Sequence, residues 1–293
     1  MNKRIWMFPV LLLAACAAAK DVDQRLDADP DGDVTVFNMA GSVEIEGWSR
    51  NSVEVSGSIG DDVEELVFER DGDEVNIRVK VPKRSRGRKD LSADLTIKVP
   101  KNSSLEVATV SADIDITGVH GEQELQAVSG DIDTEAYAGD IEIESVSGDI
   151  DVNGDGSDMS AELVSVSGDI SADSLTGTVE AETVSGDLAI VDGSFDRIEM
   201  ETVNGDITLR AELRRGGRLS GETVNGDVDI DFKGDVSAKF DIETFNGKID
   251  NCFGPKPQRT SRYAPGWELS FTEGGGNGRV SLATLNGRIR FCN

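Results

Sequence analysis

One short phrase repeats along this chain and constrains its fold more than any other feature. It reads Val-Ser-Gly-Asp-Ile at Val128–Ile132 and Val146–Ile150, and related phrases begin at Val110, Val166, Val184, Val203, Val224, Phe245 and Leu285. The successive starting points lie 18, 18, 20, 18, 19, 21, 21 and 40 residues apart. A unit this short cannot bury its apolar face alone, so the repeat is typical of a solenoid whose units stack on their neighbours.

The alternation of apolar residues within a unit predicts two strands. Ile198, Met200 and Thr202 share one parity, and Val203 begins the opposite parity that Ile207 continues. Both runs alternate with period two, which is the period of a strand. A reversal of parity without a loop indicates a bulge or corner that keeps the apolar side chains of both strands inward. The prediction is an all-β, single-stranded-type β-solenoid built of two-strand rungs of 18–21 residues.

Small residues surround each predicted corner. Ser or Thr precedes most of the corners, and a glycine stands two residues after the reversal of parity, as at Gly148, Gly186, Gly205, Gly226, Gly247 and Gly287. Glycine is expected inside a strand where another backbone approaches closely. We therefore predict that the interior narrows at the corners and that backbone from another wall of the solenoid lies against these glycines.

The regions on either side of the regular repeats predict less regular structure. Residues 34–104 contain short alternating segments without the repeated phrase, and we interpret them as an irregular N-terminal β cap that covers the open edge of the sheet. Residues 105–293 form the predicted solenoid. Within it, residues 253–278 contain Pro255, Pro257, Pro265 and three consecutive glycines, which is typical of a loop excursion.

The first residues predict export. Lys3 and Arg4 precede an apolar run, Ile5–Leu13, that is too short to span a bilayer. The run ends in Leu-Ala-Ala-Cys, which resembles the lipobox of bacterial lipoproteins and implies a signal peptide over residues 1–15 with lipid attached to Cys16. The non-acidic Ala17 implies sorting to the outer membrane of a Gram-negative bacterium. Residues 16–33 are rich in Asp and are predicted to be an acidic tether.

Charge and composition exclude several functions. The chain has 56 acidic and 29 basic residues and a formal net charge of -27, so the body is unsuited to nucleic acid, whose binding requires positive charge. His120 is the single histidine, which excludes multi-histidine metal sites and disfavours triad chemistry. Some β-helical enzymes cleave acidic polysaccharides with Asp residues, but they need basic and aromatic residues that are sparse here. We predict no catalytic residue.

Two charged features remain as candidate binding sites. Aspartate occupies the same position in seven successive units, and Lys248 and Arg288 occupy it in the last two. We call the seven residues the Asp ladder: Asp113, Asp131, Asp149, Asp169, Asp187, Asp206 and Asp227. We expect each carboxylate to accept backbone N–H groups in its turn; the alternative is that the ladder shares Ca²⁺ ions. The basic run Lys83–Lys89 is interpreted as a solvated loop, with contact to anionic envelope polymers as the alternative.

Two cysteines are predicted to form a disulfide. Cys252 and Cys292 are the thiols that remain once Cys16 carries lipid, and each lies five residues after the glycine of its unit. If their separation of 40 residues means two rungs, the strands lie about 9.6 Å apart, too far for a disulfide. If the 253–278 excursion replaces a rung, they lie on adjacent strands about 4.8 Å apart, and the bond forms.

Several of these segments together resemble a known family. The segment Phe37–Ile45, the nearby Trp48, the repeated phrase and the final segment from Gly278 to Ile289 are similar to a bacterial adhesin family of exported β-strand-repeat proteins, a domain family of unknown function. The resemblance implies a β-solenoid in the cell envelope. We therefore predict a non-catalytic lipoprotein that presents a repetitive acidic face to an envelope glycan or protein. The alternatives are a polysaccharide-binding or polysaccharide-processing β-helix and a cation-dependent scaffold.

Overall fold

The computed structural model of this protein describes residues 20–82, 90–261 and 265–293. Within these ranges every regular element is a strand, and no helix is long and apolar enough to cross a membrane. The strands are β1 (Lys20–Asp27), β2 (Asp33–Trp48), β3 (Ser52–Ile59), β4 (Glu65–Asp71), β5 (Glu74–Lys80), β6 (Ala93–Pro100), β7 (Ser104–Thr117), β8 (Gln123–Ser129), β9 (Ile132–Ala136), β10 (Ile141–Ser147), β11 (Ile150–Gly154), β12 (Asp158–Ser167), β13 (Ile170–Asp173), β14 (Thr176–Ser185), β15 (Leu188–Asn204), β16 (Ile207–Asn225), β17 (Val228–Phe232), β18 (Ala238–Asn246), β19 (Ile249–Asn251), β20 (Gln258–Arg259), β21 (Trp267–Thr272), β22 (Gly278–Asn286) and β23 (Ile289–Cys292).

The central strands form the predicted β-solenoid. Each rung consists of a strand, a corner and a second strand, and a turn then leads to the next rung. The first strands pair in parallel with the first strands of neighbouring rungs, as β10 does with β8 and β12. The second strands do the same, as β11 does with β9 and β13. Each side chain therefore stands above its equivalent in the next rung, at the strand spacing of about 4.8 Å.

The core consists of apolar rows that run the length of the solenoid. Ile143 lies in register with Leu163, and Leu163 with Ala181, and all three side chains are completely buried. The rows continue from rung to rung because period-two alternation places the same parity of every strand inside. Val, Ile, Leu and Ala supply most of this core, in agreement with the low aromatic content of 5%.

A hydrogen bond from one rung to the next holds the corners together. The Thr202 hydroxyl donates to the carbonyl oxygen of Gly186 at 3.2 Å, and the same bond joins Thr183 to Gly168, Thr223 to Gly205, Thr284 to Gly226 and Thr244 to Gly287. A Cβ atom on Gly205 would collide with the Gly186 carbonyl. The close approach predicted at the glycines is present, but it comes from the neighbouring rung rather than from another wall of the solenoid.

At the N-terminal end, the order of strands in space differs from their order in the chain. Strand β2 pairs in parallel with β7 from Asp33 to Glu46, and on its other side it pairs with β5 and β6. The prediction that the cap begins at residue 34 was therefore wrong for β2, which is a complete rung. Beyond it, β4 lies antiparallel to β5, and β3 lies antiparallel to β6.

The acidic segment expected to be a tether is largely part of the fold. Strand β1 lies antiparallel to β3, with Lys20 opposite Ile59 and Asp27 opposite Ser52. Val22 is half-buried and packs against the core, while the charged residues on either side of it face solvent. The prediction of a tether over residues 16–33 is corrected for Lys20–Asp27, where backbone pairing to an open sheet edge orders a strand that has few apolar residues.

At the C-terminal end, the last two segments also exchange places. The rung formed by β22 and β23 lies between the rung of β16 and β17 and the rung of β18 and β19. The region 253–278, predicted to be a loop, contains β20 and β21, and β21 covers the free edge of β18 in an antiparallel pair. Five aromatic rings close this end of the core: Phe232, Phe240, Phe253, Phe271 and Phe291.

Candidate functional site

A row of large apolar side chains is exposed along the corners. In their spatial order these residues are Val128, Val146, Val166, Val184, Val203, Val224, Leu285 and Phe245, with 38–47% of each exposed. The prediction that Val203 and its equivalents point inward was wrong. Thr202 takes the inward position and donates a hydrogen bond to the Gly186 carbonyl on the preceding rung, so the side chain that follows it is turned to solvent. We call these eight residues the apolar row.

Six of the eight residues of the apolar row, from Val166 to Phe245 in spatial order, lie in a groove of about 630 Å³. Its lining extends from Val166 on β12 to Phe245 on β18, across six stacked rungs. Four glutamates border the apolar side chains, each two residues before the corner of its rung: Glu182, Glu201, Glu222 and Glu243. The first three stand on consecutive rungs, and Ala283 of β22 separates Glu222 from Glu243. The groove therefore presents a continuous apolar strip beside a line of carboxylates.

The glutamates of the groove repel one another. Glu182 is in register with Glu201, and Glu201 with Glu222, so the like charges stand one strand spacing apart. Partial burial, followed by repulsion from Glu222 and Glu182, raises the pKa of Glu201. Partial burial, followed by repulsion from Glu180 and Glu162, raises the pKa of Glu182. In the protein alone, this side of the groove is therefore electrostatically unfavourable.

Trp267 closes one end of the groove. It lies on β21, opposite Thr244 of β18, and lines the groove together with Thr260 and Gly266. The guanidinium of Arg259 stands over the Trp267 ring, 4.9 Å from its centroid. Strand β21 and the residues just before it thus shape one end of the groove. The sequence pattern did not predict this, because residues 253–278 are typical of a loop.

Asparagine amides form a second row beside the apolar one. The side-chain N–H of Asn225 donates to Asn204 at 2.9 Å, that of Asn286 to Asn225 at 2.8 Å, and that of Asn246 to Asn286 at 2.9 Å. These bonds order the corners of the last four rungs. The change from Val-Ser-Gly to Val-Asn-Gly in the sequence is the signal by which this row could have been recognised.

The Asp ladder lies three residues after the apolar row in each unit, and each of its carboxylates accepts a hydrogen bond from a backbone N–H. Every Oδ1 accepts the N–H of the equivalent residue in the next rung at 2.7–3.1 Å, from Asp113, which accepts from Asp131, to Asp227, which accepts from Arg288. We expected carboxylates that cap turns; here each caps the turn of its neighbour. The Arg288 guanidinium also lies 3.5 Å from Asp227, ending the ladder with a positive charge.

The structure also bears on other residues singled out in the sequence. His120 stacks on Tyr137, with ring centroids 4.1 Å apart, and the Tyr137 hydroxyl donates to Glu135. Among the described residues, no three His, Cys, Asp or Glu side chains are grouped so as to hold a metal ion, and the Ca²⁺ alternative for the ladder gains no support. Cys16 and the basic run Lys83–Lys89 lie outside the described residues.

The predicted disulfide joins Cys252 and Cys292, whose Cα atoms lie 4.9 Å apart. Cys252 directly follows β19 and Cys292 ends β23, and these strands lie on adjacent rungs, because Asn251 of β19 pairs with Phe291 of β23. The rungs are adjacent because the rung of β22 and β23 lies between β16 and β18, which leaves the rung of β18 and β19 outermost. The bond therefore fastens the outermost rung to the one inside it.

One protein family and several solved structures are similar to this chain. A family model described as Toastrack DUF4097 matches residues 33–290. A solved "putative adhesin" from Bacteroides fragilis NCTC 9343 is similar at 12% identity and a TM-score of 0.41, over 94% of this chain and 98% of that one. A "putative lipid binding protein" from Parabacteroides distasonis ATCC 8503 is similar at 14% identity and a TM-score of 0.39, over 93% and 97%. No curated protein matches the chain.

Proposed function

Because the chain belongs to the Toastrack DUF4097 family, whose function its name leaves open, we propose a function from its surface. The protein is a non-catalytic, adhesin-like scaffold of the bacterial cell envelope. Lipid on Cys16 anchors it in the outer membrane, and the repetitive face of the solenoid binds an envelope component. The observation that carries this proposal is the apolar row.

Eight large apolar side chains in one line are unusual on a protein surface that faces solvent. Single exposed apolar residues are ordinary, whereas a continuous apolar patch marks an interaction site. Completing the burial of one half-exposed Val would stabilise a complex by roughly 1 kcal/mol. The row repeats at strand spacing on a rigid framework, so it can contribute many such contacts without ordering a mobile loop.

The electrostatics of the groove favour binding over catalysis. Enzymes that hydrolyse glycosidic bonds with two carboxyl groups need one group that holds its proton and another that stays ionised. The surroundings of the two groups therefore shift their pKa values in opposite directions. Burial and like charges shift the pKa values of Glu182 and Glu201 in the same direction, upward. These two glutamates therefore give the polysaccharide-processing alternative no support.

The short distance from Cys16 to the folded body supports a defined orientation. Strand β1 begins at Lys20, and the four intervening residue steps span at most about 14 Å when fully extended. A lipid on Cys16 would hold the N-terminal cap close to the membrane surface. The groove lies at the opposite end of the solenoid, where it would be presented to partners away from the membrane.

The test uses the mature lipoprotein in phosphatidylcholine liposomes, mixed with isolated envelope fragments and sedimented. A variant with Val184→Thr, Val203→Thr and Val224→Thr removes apolar surface while keeping β-branched residues. The control variant, Ala189→Thr, Ser171→Thr and Asp151→Thr, changes outward positions on the second strands. We expect native protein and control to retain fragments and the apolar-row variant to lose at least about tenfold in affinity. Equal retention by all three would overturn the proposal.

A further inference from the structure

The groove beside Trp267 selects a particular class of partner. We infer that it binds a cationic amphipathic helix of another protein, laid lengthwise along the apolar row with its basic side chains against the glutamates. This inference rests on the proposed binding function and deepens it. Three features carry it: the continuity of the apolar strip, the line of carboxylates beside it, and the spacing of the rungs.

The carboxylates decide the charge of the partner. A ligand that covers the apolar row also removes water from Glu182, Glu201 and Glu222, and a carboxylate without a partner is costly to bury. Lys or Arg side chains on the ligand would supply charge-assisted hydrogen bonds and would relieve the repulsion among the three carboxylates. A hydrocarbon chain has no such groups. Binding of a lipid chain would leave the carboxylates desolvated and unpaired.

A second copy of this protein is disfavoured for the same reason. Two grooves placed face to face would bring two glutamate rows together in molecules that each carry a formal charge of -27. Like charges across an interface cost several kcal/mol and suppress association. The occupant is therefore a partner of opposite charge.

The spacing of the rungs favours a helix. A helix presents the same face once per turn of about 5.4 Å, close to the rung spacing of about 4.8 Å. An extended strand presents the same face every 6.6–6.8 Å or so, which loses register with the rungs after about two steps. Apolar residues at helical spacing can thus meet successive side chains from Val184 to Phe245, as in other helix-in-groove complexes.

The probe is a fluorescent synthetic peptide of about 18 residues, roughly 27 Å long as a helix, with Leu on one face and Lys on the other. Its binding to the mature lipoprotein in phosphatidylcholine nanodiscs is measured by anisotropy, and the signal of empty nanodiscs is subtracted. Two further peptides serve as ligand controls: one has Glu in place of Lys, and one has the same composition in an order without an apolar helical face. Specific binding should be confined to the first peptide and should weaken with salt, because its charge contacts are screened.

Variants locate the binding site. Glu182→Gln, Glu201→Gln and Glu222→Gln together should weaken peptide binding at least about tenfold, and so should the three Val→Thr changes. The control variant Asp115→Asn, Asp133→Asn and Asp151→Asn removes the same number of carboxylates from second strands and should bind like the native protein. Equal weakening by this control would show attraction to net charge alone and would overturn the inference.

The outcomes separate the inference from the function on which it rests. If the peptide fails to bind while retention of envelope fragments still depends on the apolar row, the cationic helix is wrong and the binding function stands. If added phosphatidylcholine vesicles bind in the groove in place of the peptide, the partner is a lipid surface, and the inference is also wrong. If neither peptide nor envelope fragments bind, both proposals fail.

Discussion

The backbone N–H of Asp206 donates a hydrogen bond to Oδ1 of Asp187 on the neighbouring rung, at 2.7 Å. Because this bond needs an acceptor but no charge, Asp187→Asn should keep the native stability and relieve repulsion along the ladder. Asp187→Ala removes the acceptor and should lower the free energy of unfolding by about 0.5–1.5 kcal/mol. Chemical denaturation of both variants measures the difference. If the Asn and Ala variants lose equal stability, the capping role is wrong.

A second prediction concerns pH. Burial and repulsion from Glu222, Glu182, Glu199 and Glu180 raise the pKa of Glu201 above its ordinary value of 4.5. Well below this value the carboxyl is protonated in both the folded and unfolded states, and it costs no stability. As pH rises from this value through the raised folded pKa, the unfolded chain releases the proton more readily than the folded protein, so the free energy of unfolding falls.

Glu201→Gln should therefore raise the free energy of unfolding at pH 7 by about 0.2–1 kcal/mol, as expected for removal of one like charge from a cross-strand row. The gain should vanish near pH 4, where the native carboxyl is also neutral. Glu65→Gln is the control, because it removes a carboxylate that pairs with Lys80 at 3.1 Å and should give no gain. A gain for Glu201→Gln that is independent of pH would contradict the assignment to charge.

A third prediction tests the contact between corners. Gly205→Ala places a Cβ against the Gly186 carbonyl and should destabilise the protein by at least about 1–3 kcal/mol, because neighbouring rungs must move apart. Gly275→Ala is a matched control, since a Cβ there meets only ordinary van der Waals contacts. Thermal denaturation should show a large loss for the first variant and little change for the second. Similar losses for both would argue against the close approach.

A fourth prediction concerns the disulfide. Replacing both Cys252 and Cys292 with Ser should lower the free energy of unfolding by about 2–4 kcal/mol, because the bond closes a loop between positions 40 residues apart. Reduction of the native protein should have the same effect. The oxidised, denatured lipoprotein should react with no thiol reagent. Reaction of two thiols per chain would show that the bond is absent.

A fifth prediction tests the anchor. Cys16→Ser should move the protein from the membrane fraction to the soluble fraction, because the thiol that would carry the lipid is lost. The native lipoprotein, fractionated in parallel, should stay with membranes after a high-salt wash. A Cys16→Ser protein that stays there too would show that the anchor lies elsewhere.

Much of the fold follows from local pattern. Period-two alternation and a repeat of 18–21 residues require short strands that stack in parallel, and they place residues such as Ile143 and Leu163 inside, where the structure has them. The equivalent positions of Cys252 and Cys292 predicted a bond that the structure forms. These predictions succeed because each depends on a strand and its own neighbour.

The direction of the apolar row was decided by tertiary structure. Thr202 and Val203 are both compatible with an inward position, but two consecutive residues of an extended strand point to opposite sides. The Thr202 hydrogen bond to Gly186, on another rung, settles which of the two is inside. The main candidate site therefore depends on a partner 16 residues away in the chain, which alternation within one unit does not reveal.

The order of the rungs at both ends was likewise decided by tertiary structure. Sequence alone predicted strands at Val34–Val36, at Val43–Ile45 and in the last repeat, Leu285–Ile289, but not which strands would be their neighbours. Any rung of matching parity can hydrogen-bond to any other, because the backbone groups of the ladder are the same at every position. The exchange places antiparallel strands over the outer edges, where β3 covers β6 and β21 covers β18. Protection of those edges is a property of the assembled sheet, so it appears only when all the strands are present together.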